Sequence, residues 1–122
     1  AAVINWYGIS DVNDVLEGIN AKHYTIEWFG SLPNREELAR QLSPLTYVAA
    51  GAPAVLTIHG DADKMVPYTQ AQRLHAALDK AGVPNRLVTV SGGGHGGFSR
   101  QDLLGCYAAI REFLRKNGIV QE

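Results

Sequence analysis

Two loops of the 122-residue chain carry side chains that could do acid–base chemistry. Asp61 and Asp63 follow the apolar run Ala54–Ile58, and His95 lies in the glycine-rich loop after the run Arg86–Val90. A carboxylate bonded to one ring nitrogen of a histidine fixes the tautomer and stabilises the imidazolium during general-base catalysis. The sequence therefore offers a base and two candidates for its acid. Glycine and aspartate are also ordinary turn residues, so a plain turn remains the alternative.

The apolar pattern predicts the elements that position these loops. The continuous apolar run Ala54–Ile58 is typical of a strand buried on both faces, and Ala1–Tyr7 and Arg86–Val90 are predicted as two further apolar strands. Capping residues predict one helix after Asp11 and another from Asn34, with Glu37 as its capping partner, to Leu42. Apolar residues at helical spacing predict two more helices, over Tyr68–Ala81 and through Leu103–Leu114. This alternation favours an α/β fold with about three parallel strands flanked by helices. Catalytic groups of such folds lie beyond the carboxyl ends of the strands, where both loops fall.

Composition excludes several other classes of function. The net charge of −1 gives no basic surface for nucleic acid. The single cysteine, Cys106, excludes an internal disulfide and fits a core position on the last helix, and no Cys/His cluster has zinc spacing. We expect neither a metal nor an organic cofactor. No apolar run reaches the roughly 18–20 residues of a membrane helix, so no membrane span is expected.

Several segments together resemble the α/β-hydrolase superfamily. The run Pro53–Tyr68, with its His-Gly-Asp-Ala-Asp sequence, resembles the acid-bearing segment of the esterase/lipase branch, which includes hormone-sensitive-lipase-like and feruloyl-esterase-like enzymes. Val88–Gly96 resembles the histidine segment, and Leu74–Pro84 the connecting helix. Ala2–Asp11 is similar to the strand after the nucleophile segment, and Ser43–Val48 to the stretch before the acid strand. The resemblance is collinear over nearly the whole chain.

The resemblance implies roles for individual residues. It assigns Asp63 as the triad acid and His95 as the triad base, with Asp61 as a turn-former that accepts backbone N–H groups. His59 is expected only to pack or hydrogen-bond locally. Residues 1–122 would form the C-terminal part of one α/β-hydrolase domain, and residues 19–48 a cap- or lid-like excursion.

The aromatic stretch 19–33 shows no regular period, and we expect it to be an irregular surface segment. Trp28 and Phe29 within it are candidates to line an acyl or aromatic pocket. The alternative is that both side chains simply cover the helix layer.

One family feature is missing from the sequence. The fold family uses a serine in a G-x-S-x-G turn and an oxyanion loop of HGGG type. None of the five serines (Ser10, Ser31, Ser43, Ser91, Ser99) has glycine at both −2 and +2, and Cys106 does not either. The triad order Ser, Asp, His along the chain would place the nucleophile upstream of Ala1.

Three functional hypotheses follow. The first is the C-terminal fragment of a serine carboxylic-ester hydrolase, inactive alone, whose complete form acts on a small-molecule ester. The second is a fragment of a prolyl-oligopeptidase-type serine peptidase, and the third is a complete, non-catalytic binding or assembly module. An unpaired strand edge at Ala1–Tyr7 would pair with the missing N-terminal segment or with a second copy in a homodimer.

Overall fold

A computed structural model describes residues 1–121, and its three strands form one parallel sheet. The strands are β1 (Ala2–Trp6), β2 (Ala54–Gly60) and β3 (Asn85–Val90), in the order β1-β2-β3. The helices are α1 (Val12–Leu16), α2 (His23–Phe29), α3 (Arg35–Leu42), α4 (Thr69–Lys80) and α5 (Arg100–Lys116), with a 3₁₀ turn at Pro44–Tyr47. The predicted α/β class with three parallel strands is confirmed. Within residues 1–121 no helix is long and apolar enough to cross a membrane.

The central strand β2 carries apolar side chains to both faces of the sheet. Leu56 and Ile58 are fully buried and pack with Cys106 and Phe113 of α5, so the core position expected for Cys106 is confirmed. A second cluster, which includes Leu74 and Leu78 of α4, covers the opposite face. Side chains alternate along a strand, so Thr57 and His59 point to the face opposite Leu56 and Ile58.

The expectation of an irregular segment at 19–33 is wrong, because seven of its residues form α2. The helix has no side-chain cap at Lys22, and only Thr25 and Phe29 of its residues are buried. Two buried residues are too few to produce a recognisable helical periodicity of apolar residues in the sequence. Phe29 packs with Val12 in a small cluster between the first three helices, so Phe29 belongs to the core.

The helix ends test two capping predictions. Asp11 accepts the N–H groups of Asn13 and Asp14, as expected of the N-cap of α1. The helix predicted after Asn34 does begin at Arg35, but Asn34 makes no side-chain cap. The predicted N-cap position and the helix end at Leu42 are therefore confirmed, but within residues 1–121 the side-chain capping bond is missing, and Glu37 bonds Arg40 and Gln41 along the exposed helix face instead.

Gly60 ends β2 at a point where a neighbouring loop crosses the strand. A Cβ at this position would collide with the backbone carbonyls of Gly93 and Gly94. We expect Gly60→Ala to lower the free energy of unfolding by about 1–3 kcal/mol, as overpacking against a rigid backbone does. Urea unfolding followed by circular dichroism measures the change.

Gly105 provides the matched control for this substitution. It lies on the exposed side of α5, and a Cβ there would meet open space. Gly105→Ala should stabilise the fold by about 0.5–1 kcal/mol through helix propensity. Equal stability of Gly60→Ala and the unsubstituted chain would show that the loop at Gly93 and Gly94 is not packed this closely against the end of β2.

Candidate active site

The parallel register brings the two predicted loops to the same edge of the sheet. Gly60 at the end of β2 pairs with Val90 at the end of β3. The acid loop (residues 61–67) and the histidine loop (residues 91–98) therefore start side by side. Across them, Oδ2 of Asp63 lies 2.9 Å from Nδ1 of His95, although the two residues are 32 positions apart in sequence.

Asp63 is buried and held by three hydrogen bonds. Its Oδ1 accepts the N–H groups of Met65 at 2.8 Å and Val66 at 2.9 Å, while Oδ2 faces His95. Burial by itself would raise the pKa of Asp63, but the bonds from Val66, His95 and Met65 outweigh it and lower the pKa below its ordinary value. The carboxylate is thus charged at neutral pH and fixed in orientation.

The other candidate acid has a different partner. Asp61 is exposed, and its Oδ1 accepts the backbone N–H of Gly92 at 2.6 Å. This contact ties the acid loop to the histidine loop. The two carboxylates therefore have different partners. Asp63 contacts the imidazole of His95, and Asp61 accepts a hydrogen bond from the backbone of the histidine loop.

His95 is partly open to solvent on one side and supported by an aromatic ring on the other. Its side chain is 30% exposed, and the ring of Tyr7 lies 4.6 Å away, centroid to centroid. Within residues 1–121, Tyr7 is the only non-glycine residue with a positive φ, at 42°. Such strain persists where the surroundings impose it, often at functional sites. Sequence reasoning missed Tyr7, since its sequence position marks only the end of an apolar run.

An apolar cleft opens beside the imidazole. It has a volume of about 270 Å³ and is lined by residues from α2, the acid loop, the histidine loop and the segment after β1: Ile9, Tyr24, Trp28, Met65, Val66 and His95. Trp28 is 57% exposed and its ring lies 5.0 Å from that of Tyr24. Trp28 thus lines a cleft at the site, whereas the buried Phe29 does not. A larger hollow of about 660 Å³ near α1 and α3 contains neither Asp63 nor His95.

Two bonds attach α2 and the residue that precedes it, Lys22, to the acid loop. Nζ of Lys22 donates to the carbonyl of Lys64 at 2.9 Å, and the hydroxyl of Tyr24 donates to the carbonyl of Met65 at 3.0 Å. The cleft wall and the backbone that holds Asp63 therefore form one connected unit.

The remaining chemistry-bearing side chains lie elsewhere. The hydroxyls of Ser10, Ser43 and Ser99 bond to Gln70, Ala39 and Asp102, and among residues 1–121 no serine hydroxyl is hydrogen-bonded to His95. Over the same residues, no three His, Cys, Asp or Glu side chains converge on a possible metal position.

Solved structures of esterases share this arrangement of strands and helices. A truncated carbohydrate esterase from gut microbiota is 30% identical, with a TM-score of 0.73 over 92% of this chain and 42% of that chain. An esterase of Thermogutta terrifontis, solved with butyrate bound, is 26% identical, with a TM-score of 0.75 over 98% of this chain and 44% of that chain. The fold is therefore that of an α/β-hydrolase, as the sequence resemblance implied.

The family follows from the sequence match. The BD-FAE family model matches residues 1–78, and the chain belongs to this esterase family of the α/β-hydrolases. The matched segment contains Asp63 but ends before His95. The uncharacterized peptidase YuxL of Bacillus subtilis is 30% identical over 92 residues, 75% of this chain and 13% of that protein. The chain thus spans less than half the length of the two solved esterases and a small part of the peptidase.

Proposed function

We propose that the chain is the acid–histidine part of a serine carboxylic-ester hydrolase, with Asp63 as the triad acid and His95 as the general base. The observation that carries this proposal is the contact of 2.9 Å between Oδ2 of Asp63 and Nδ1 of His95, at the carboxyl ends of adjacent strands. Membership of an esterase family supports the same reaction class. The serine and the oxyanion hole would come from a segment outside these 122 residues.

In this mechanism His95 transfers the proton, and Asp63 fixes the tautomer of His95 and stabilises its imidazolium. Asp63 keeps the proton of His95 on Nδ1, so Nε2 has the free lone pair. Nε2 takes the serine proton as the serine oxygen attacks the ester carbonyl, and the imidazolium then protonates the leaving alkoxide. Water repeats the sequence on the acyl-enzyme, with His95 again as base, and regenerates the serine. The charged, fixed carboxylate of Asp63 stabilises the imidazolium in both halves of the reaction.

The cleft beside His95 would receive one apolar side of the ester. Its volume of about 270 Å³ is below the roughly 300–1,000 Å³ of sites that enclose a whole drug-sized ligand. Trp28 and Met65 are both more than half exposed there, and an apolar substituent would cover them. On this proposal α2 serves the cap-like role expected of residues 19–48.

The outer edge of β1 is the proposed docking site for the nucleophile-bearing segment. Within residues 1–121, β1 pairs only with β2, and Val3 is 46% exposed on it. The solved esterases contain more than twice the length of chain matched here, which supports the proposal that the complete enzyme has a further segment. A second copy of the chain paired along Ala2–Trp6 is the competing outcome, which light scattering distinguishes.

We expect residues 1–122 alone to hydrolyse p-nitrophenyl acetate no faster than buffer. The same residues joined to an upstream segment with a strand, a G-x-S-x-G turn and a helix should turn the ester over, because the nucleophile and oxyanion hole are then present. Initial rates of p-nitrophenolate release measure both. Turnover by residues 1–122 alone that is lost in His95→Gln would contradict the division of the triad between segments.

A peptidase is the second candidate, because a peptidase is among the relatives at 30% identity. The two functions share the acid and the base and differ in the leaving group, an alkoxide or an amine. The complete enzyme should cleave p-nitrophenyl esters with a higher kcat/KM than aminoacyl p-nitroanilides. The reverse order would favour the peptidase, and no turnover of either substrate would favour a non-catalytic module.

A further inference from the structure

A second histidine lies against the carboxylate of Asp63. His59 is the penultimate residue of β2, and its side chain is completely buried. Nε2 of His59 lies 3.2 Å from Oδ2 of Asp63, the same oxygen that faces His95. One carboxylate oxygen therefore lies between two imidazoles, of which only His95 has a part in the proposed mechanism.

The hydrogen bond of the His59 ring fixes where its proton lies. Nε2 is 3.0 Å from the carbonyl oxygen of Val66, which can only accept, so the hydrogen-bond partner places the proton on Nε2. Val66 in turn donates its N–H to Oδ1 of Asp63. His59 thus holds the acid loop through the carbonyl of Val66 and also faces Oδ2 of Asp63, the oxygen that contacts His95.

The other ring nitrogen shows that this arrangement has a cost. Nδ1 of His59 is buried and has no hydrogen-bond partner among the described residues. A buried, unsatisfied acceptor destabilises a fold, and an apolar side chain in the same place would not carry that penalty. Nearby, the ring of Tyr68 packs edge-on against the imidazole at 5.7 Å. A histidine at this position is therefore favoured by the contacts of its Nε2 with the carbonyl of Val66 and with Oδ2 of Asp63.

We propose that His59 is a positioning residue of the active site, which directs Oδ2 of Asp63 toward Nδ1 of His95. The inference rests on the proposed function of Asp63 and His95. His59 acts through Asp63 and touches neither the ester nor the serine. Its Nε2–H anchors the acid loop at Val66 and limits the rotation of the carboxylate between its two neighbours.

Glutamine and asparagine at position 59 test this role in the complete enzyme. The amide nitrogen of glutamine reaches about as far from the backbone as Nε2 of histidine, whereas that of asparagine reaches only as far as Nδ1. His59→Gln should keep kcat within a few-fold. His59→Asn and His59→Leu should lower kcat on the order of 10- to 100-fold, as loss of an outer-shell partner does in metal sites, with KM nearly unchanged.

His75 is the matched control, because it is also a buried histidine with one ring nitrogen that has no partner within residues 1–121. It lies on α4 and bonds Asn85, away from Asp63. His75→Leu should change the melting temperature and leave kcat and KM within about twofold of the unsubstituted enzyme. A loss of kcat at position 59 without a comparable loss at position 75 supports the positioning role.

A spectroscopic readout separates this inference from the proposed function. The proton on Nδ1 of His95 resonates downfield while it is bonded to a carboxylate. That resonance should persist in His59→Gln and shift upfield or broaden in His59→Asn, even if the unsubstituted enzyme proves inactive on esters. Equal kcat values and equal His95 resonances for the glutamine and asparagine variants would overturn the proposal. If His59→Leu does not fold, the comparison of His59→Gln with His59→Asn still tests the positioning role.

Discussion

Replacement of His95 by glutamine is expected to lower kcat of the proposed complete esterase on the order of 10⁶-fold, the loss seen when the histidine of another serine triad is removed. Glutamine has no basic nitrogen, so nothing takes the serine proton or returns it to the leaving group. The remaining rate would come from the oxyanion hole and substrate binding. Steady-state hydrolysis of p-nitrophenyl acetate, with burst-phase analysis, measures the loss.

His23→Gln is the control for this variant, since the side chain of His23 is 84% exposed on α2 and contacts Glu27. It should leave kcat within about twofold, as is usual for surface substitutions away from a site. A His95→Gln enzyme that keeps more than a tenth of its activity would show that another group is the base.

Asp63→Asn is expected to cost on the order of 10⁴-fold in kcat, because the asparagine amide presents a donor to Nδ1 of His95 and stabilises the wrong tautomer. The asparagine oxygen can still accept the N–H groups of Met65 and Val66, so the acid loop should keep its shape. KM is then expected to change little. Initial rates over a range of ester concentrations separate the two parameters.

Asp61→Asn is the matched control, two residues away in the same loop. An asparagine oxygen there can still accept the N–H of Gly92, so kcat should fall only a few-fold. If Asp61→Asn were the more damaging of the two, the roles of acid and turn-former would have to be exchanged.

The difference in stability between the unsubstituted protein and the Asp63→Asn variant should also depend on pH. The pKa of Asp63 is lowered in the fold, so its ionised carboxylate stabilises the protein above the ordinary value of 3.8 and loses this effect as pH falls through the lowered value. The difference in melting temperature between Asp63→Asn and the unsubstituted protein should therefore shrink on acidification.

Local sequence patterns were sufficient to predict the parallel sheet and the proximity of the acid loop to the histidine loop. β2 is a buried, mostly apolar run and β3 a partly buried one, and parallel pairing then places the acid loop beside the histidine loop. The choice between Asp61 and Asp63 needed the family resemblance, because both acids lie in one five-residue stretch. That Asp63 acts as the triad acid remains a prediction, which the two variants above address.

The contacts that support the site were not readable from the sequence. Tyr7 is supported against His95 by a strained backbone, and His59 meets Asp63 only after the acid loop folds back on β2. The cleft wall depends on α2, whose two bonds to the acid loop join residues about 40 positions apart. Such contacts come from tertiary packing and leave no periodic signal along the chain.

Met65 couples two properties of the proposed enzyme, the orientation of Asp63 and the shape of the cleft, that could otherwise change independently in evolution. Its N–H holds Asp63, its carbonyl accepts the hydroxyl of Tyr24, and its side chain lines the cleft. A change of Tyr24 that widens the cleft also releases the backbone that supports the acid. Adaptation to bulkier esters is therefore least constrained at Trp28, which lines the cleft through its side chain. Selection for a new substrate in the laboratory should accumulate substitutions there before it reaches Tyr24.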